Sequence, residues 1–147
     1  MVENDSTIHV TNFFLWSLTR IVIFFLLSSL FWVFLSNSGS EKEAEIVVEQ
    51  FLFALAEKNE LVISNISCPA WEEEALLELD ALQLVKSTIT DLDCFTSKKT
   101  EDSTEISCNG VFTNSYNNEN SVWDLSSYTF DVTNSNGARL LCGFYQN

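Results

Sequence analysis

Histidine is almost missing from this chain, and that narrows the chemistry at once. The single copy, His9, precedes a long apolar run, so residues 41–147 contain no imidazole. A general base must reach its proton and have a pKa suited to the task, and here the commonest such group is lacking. Zinc is disfavoured too, because there is no C-x-x-C and no second histidine. Positive charge is scarce: 7 Lys and Arg stand against 21 Asp and Glu, for a net charge of −14. Such a surface repels phosphate backbones and anionic headgroups, which excludes nucleic acid as a partner. With only four glycines there is no phosphate loop and no G-x-S-x-G, and H-E-x-x-H is also absent. No metal and no cofactor is expected.

What is present begins with Phe13–Leu35, FFLWSLTRIVIFFLLSSLFWVFL, whose only charge is Arg20. About 20 predominantly apolar residues cross a bilayer as a helix, and at 1.5 Å per residue this run reaches about 34 Å. It is read as a transmembrane signal-anchor, with Trp16 and Trp32 near its two ends as interfacial residues. The competing reading is a cleaved signal peptide, with Arg20 closing the charged region and Ser36 and Ser38 near the cut. Residues 1–12 form a polar tail and 36–40 a short Ser-Gly-Asn linker. Residues 41–147 are then one domain, expected on the extracytoplasmic side, carrying 19 acidic and 6 basic residues.

Within that domain the apolar period changes once. Ala44, Val47, Val48, Phe51, Leu52, Ala54 and Leu55 recur at helical spacing and predict a helix over 41–58, opened by a capping box of Ser40 and Glu43. A short helical turn over 60–67 follows, then a helix entered near Pro69 and running to about Lys86. The acidic triplet Glu72-Glu73-Glu74 suits the positive end of that helix. From residue 88 the alternation is of period 2, through Leu92/Cys94, Ile106/Cys108/Phe112, Tyr128/Phe130/Val132 and Leu140/Cys142/Phe144. Four strands in a meander are predicted, joined by polar connections at 97–103, 114–121 and 134–137, the last with an Asn136-Gly137 turn. Helices followed by strands make an α+β domain, with the helices on one face of a curved antiparallel sheet of four strands.

An even number of cysteines in a small exported domain points to disulfides, and four of them allow three pairings that spacing alone does not separate. The predicted layout chooses one. A hairpin of 88–96 on 103–113 brings Cys94 to Cys108, which leaves Cys68 for Cys142 on the last strand.

This order of elements resembles the nuclear-transport-factor-2-like superfamily, the cystatin-like cone shared by ketosteroid isomerase and scytalone dehydratase. Ser107-Cys108-Asn109-Gly110, Ser115-Tyr116-Asn117-Asn118-Glu119 and Leu141-Cys142-Gly143-Phe144 look like segments of its membrane-anchored and lipoprotein members in bacteria. The resemblance implies a pocket in the cone lined by Phe51, Trp71, Phe112, Tyr128, Phe130 and Phe144. The same aromatics would serve equally as core. Enzymes of this class move protons with Asp or His bases, but Asp91, Asp93 and Asp131 all alternate away from the apolar face and are read as facing water. No catalytic residue is assigned, and the chain is expected not to be an enzyme. The expected role is a membrane-anchored binding or interaction module whose partners are other envelope proteins or a small apolar ligand. The alternative is a pocket with isomerase- or dehydratase-like proton transfer.

Overall fold

The first helix, α1, covers residues 41–57 in the computed structural model, which describes residue 39 and residues 41–147. The predicted anchor at 13–35, the tail and most of the linker, including the Ser40 cap, lie outside the described residues. Among the described residues no helix is long and apolar enough to cross a membrane. Ser40–Asn147 is one compact unit.

α1 buries the stripe its spacing predicts: Ala44, Val48, Phe51, Leu52 and Leu55 are each no more than 2% exposed. Burying a side chain of this kind contributes roughly 1.5–3 kcal/mol, so this face is what holds the helix to the sheet. The helix stops at Lys58, which adopts a left-handed φ of 62°. Asn59 N–H then reaches back to the Ala54 carbonyl at 2.9 Å, and Lys58 N–H to Leu55 at 3.4 Å. This pair of backward bonds satisfies carbonyls that the helix end leaves open. Asn59 also starts the next helix, α2 (Glu60–Ile66), because its side chain accepts from Val62 N–H.

Ser67 leaves α2 extended and lies parallel to Leu141, with Cys68 N–H donating to the Leu141 carbonyl at 2.7 Å. A tight turn through Pro69 leads into α3 (Glu72–Ala81), whose N-cap, Trp71, makes no side-chain capping bond. α3 therefore begins three residues after Pro69 and ends five before Lys86, shorter than the apolar spacing alone predicted.

The sheet has five strands rather than four. β1 (Lys86–Lys99), β2 (Ser103–Tyr116), β4 (Tyr128–Ser135) and β5 (Ala138–Gln146) lie in that order, and β3 (Glu119–Asp124) pairs with β2. The added strand occupies the end of what was read as a polar connection. Asn117 and Asn118, with φ of 49° and 67°, close a two-residue hairpin between Tyr116 and Glu119. β3 and β4 share one edge of β2: β3 covers Val111–Tyr116 and β4 covers Ser103–Ser107. Between them a 3₁₀ turn, Leu125–Ser127, makes the corner, capped by Asp124 accepting from Ser126 N–H at 3.0 Å.

The bend of the sheet has an identifiable cause. Thr90 opposes Val111 and Asp93 opposes Asn109, so Asp91 and Leu92 together face Gly110. Asp91 sits at φ 55° and Gly110 at φ 122°. A Cβ on Gly110 would lie 2.9 Å from the Thr90 carbonyl oxygen, which makes glycine necessary here. Such a bulge kinks the strand and raises its twist, and it re-phases β1 so that Ile89 before it and Cys94 after it both face inward.

Cys94 and Cys108 are directly opposed on the inner face and form one disulfide; Cys68 and Cys142 form the other. The predicted pairing is the one found. The first lies within the sheet, and the second ties the α2–α3 corner to β5.

Candidate functional site

The concave side of the sheet and the inner face of α1 enclose the six aromatics singled out from the sequence. Phe51 from α1 lies 5.5 Å from Trp71 and 6.2 Å from Phe144, and Trp71 meets Phe144 edge-on at 5.9 Å. Phe144 also meets Tyr128 at 6.0 Å and Phe130 at 5.7 Å. Phe112 joins this set only through a residue that sequence reasoning missed. It stacks at 5.2 Å on Trp123 of β3, which in turn lies 6.4 Å from Tyr128. Trp123 was overlooked because its strand was overlooked; the signal available was an aromatic one residue past Val122, in an otherwise polar stretch.

These rings close on one another. The space left between Phe51, Leu52, Leu55, Trp123, Leu125, Tyr128, Phe130 and Phe144 is about 10 Å³. A cavity needs roughly 10–15 Å³ to hold one water, and small-molecule sites are roughly 300–1,000 Å³. Trp71 and Phe112 do not border this space, and no carboxylate does. Around this space the side chains pack on one another, at separations where aromatic pairs attract.

Several polar groups around the cone are tied into hydrogen bonds. Lys58 Nζ donates to the Leu55 carbonyl at 3.1 Å and to Ser87 Oγ at 3.0 Å, and the Ser87 hydroxyl donates in turn to Asn114 Oδ1 at 2.6 Å. Partial burial pulls the Lys58 pKa below its ordinary value. Glu45 accepts from Thr96 N–H and Oγ1 at 3.0 and 3.2 Å, fastening α1 to β1. Asp91 and Asp93 are exposed, as their alternation predicts. Asp131 departs from that expectation: its Oδ1 is buried and has no hydrogen-bond partner. The cause is its position between Glu105 and Gly143 in the ladder, well inside the sheet rather than at its rim. Among the described residues no three His, Cys, Asp or Glu side chains gather as a metal site.

Two open grooves lie on the helical side. One, of about 390 Å³, runs between α1 and α2 and includes Phe53, Glu57, Val62 and Ile66. The other, of about 410 Å³, lies along α3 and is lined by Pro69, Glu72, Glu73, Leu76, Leu77 and Asp80.

Three helices on the concave face of a bent antiparallel sheet define the nuclear-transport-factor-2-like fold, which agrees with the resemblance in the sequence. Comparison with one solved structure supports the same fold. A candidate ketosteroid isomerase from Shewanella frigidimarina superposes with a TM-score of 0.51 at 15% identity, over 71% of this chain and 94% of that one. A SEC-C motif containing protein from Rhodopseudomonas palustris gives a TM-score of 0.44 at 7% identity, over 64% of this chain and 70% of the other. No protein-family model and no curated protein sequence matches the chain.

Proposed function

We propose that this chain is an interaction module that works through its outer surface, held at the outer face of a membrane by residues 13–35. The observation that carries this reading is the close packing of the aromatics: about 10 Å³ is free between them and no carboxylate borders that space, which favours a role on the outer surface over one in the interior. Two disulfides support an oxidising compartment, where such bonds persist. The Ser-Gly-Asn linker at 36–40 would keep the domain close to the bilayer, within reach of other envelope proteins. Cross-linking in intact cells followed by mass spectrometry tests this. Envelope proteins should be recovered; recovery of soluble cytoplasmic proteins alone overturns the reading.

One observation favours the alternative, an apolar pocket with isomerase-type chemistry. The small residual space is walled by Tyr128, and the structural neighbour from Shewanella is described as a candidate ketosteroid isomerase. That chemistry would need a carboxylate beside the Tyr128 hydroxyl. The buried Asp131 oxygen belongs to a residue that alternates with Phe130 and Val132 and so lies on the other face of β4. Turnover of a steroid enone by the full chain would revive the alternative, and the expected result is none.

A further inference from the structure

We propose that the outer face of α3 is a docking surface for a basic amphipathic helix of a partner protein. Glu73 and Asp80 would meet two cations, and Leu77 would meet an apolar side chain between them. The proposal rests on the interaction-module reading and names the surface it would use.

Ala75 and Leu79 of α3 are buried against the domain, while Leu77 on the opposite side is 61% exposed. Leu77 lines the groove together with Pro69 and Leu76, so the apolar surface there is larger than one side chain. Glu73, Leu77 and Asp80 fall at i, i+4 and i+7, so they line up on one face, with the two carboxylates about 10.5 Å apart along the axis. All three are exposed and border the 410 Å³ groove that Pro69 closes at one end.

The helix itself explains only part of the charge on this face. Glu72, Glu73 and Glu74 in the first turn suit the positive end of the helix dipole. Asp80 does not: it stands in the last turn, where the dipole favours cations, and that turn holds no basic residue. Nor does the sequence supply a local neutralising partner, because no Lys or Arg occurs between residues 59 and 85. An apolar side chain flanked by carboxylates two turns apart is complementary to a helix with Lys or Arg at i and i+7 and Leu at i+3 and i+4. A second copy of this acidic chain would be repelled, and so would an anionic lipid surface.

The test uses the full-length protein in detergent micelles and a fluorescent synthetic helix with Lys at i and i+7 and Leu at i+3 and i+4. A matched helix carrying Glu in place of Lys is the control. The lysine helix should bind saturably and weaken as salt rises. The double variant Glu73→Lys/Asp80→Lys should weaken it by about tenfold or more and make the Glu helix the preferred ligand. Leu77→Asp should also lose binding, with Leu77→Met retaining it. Because all three positions are exposed, unchanged thermal unfolding of the variants shows that the fold is intact. Absence of binding, binding insensitive to these changes, or binding lost only on mutation of Phe53 in the other groove would overturn the proposal. Cellular cross-linking separates the two levels: envelope partners captured equally by wild type and by Glu73→Lys/Asp80→Lys sink this surface and leave the interaction reading standing.

Discussion

The helical layer and the sheet handle charge in different ways. Residues 41–85 carry eleven carboxylates and two lysines, whereas residues 86–147 carry eight carboxylates and four basic residues. Two cations of the sheet sit against anions, Lys98 on Glu105 at 2.8 Å and Lys99 on Glu41 of α1 at 3.1 Å. The Glu105 partner raises the Lys98 pKa in turn. In the helical layer Lys58 instead bonds to the Leu55 carbonyl and to Ser87. Acidity on this protein is therefore not an even coat that only aids solubility. It is concentrated in the helical layer and the turn that follows it, which also expose Phe53, Leu61, Leu77 and Leu84.

The largest expected effect breaks the tie between the two regions. Cys68 and Cys142 close a loop of 74 residues and join the helical corner to β5, whereas Cys94 and Cys108 close one of 14 within the sheet. By chain entropy the double Cys→Ala change should cost about 4.5 kcal/mol for the long loop and about 3 kcal/mol for the short one. Urea unfolding of both variants would show the order, and a reversed order would mean that the helical layer does not depend on this link. Next comes the bend. Gly110→Ala places a Cβ against the Thr90 and Asp91 carbonyls at a positive φ, and a loss of about 3 kcal/mol in the same measurement is expected.

A smaller effect concerns the corner between β3 and β4. Bonds from Ser126 N–H and Oγ hold the Asp124 carboxylate below its ordinary pKa. A carboxylate lowered in the folded state adds stability above its unfolded pKa and loses it as pH falls through the folded value. Asp124→Asn should therefore be slightly less stable than wild type at neutral pH, and the gap should close on the acid side of the normal carboxylate range. Smallest of all is Leu77→Asp, which should shift stability by less than about 0.5 kcal/mol in thermal unfolding, because the side chain touches solvent rather than core.

The parts of this fold that were legible before any coordinates are those where one period dominates. α1 announces itself because seven apolar residues share one stripe, and the inner faces of β1, β2, β4 and β5 because apolar and polar positions alternate. The layout of those strands then made Cys94–Cys108 the natural pair. β3 was not legible: five of its six residues are exposed, so burial imposes no alternation on ENSVWD, and its pairing is set by the Asn117-Asn118 turn. The end of α3 was hidden for a related reason, since Leu82 and Leu84 continue the apolar run after the helix has stopped at Ala81. The aromatic set was readable as a group, but whether it lined a space or filled one depended on ring packing that no spacing encodes. Asp131 was misjudged because alternation gives the face of a strand, not how crowded that face is.

A closely packed interior admits no steroid-sized ligand, and ring resonances report on this directly. A steroid-sized apolar ligand titrated into the full-length protein should leave the NMR signals of Phe51, Trp71, Tyr128 and Phe144 in place and show no saturable binding. Stoichiometric binding that shifts those four rings together would mean that the cone opens to a ligand, and would contradict it.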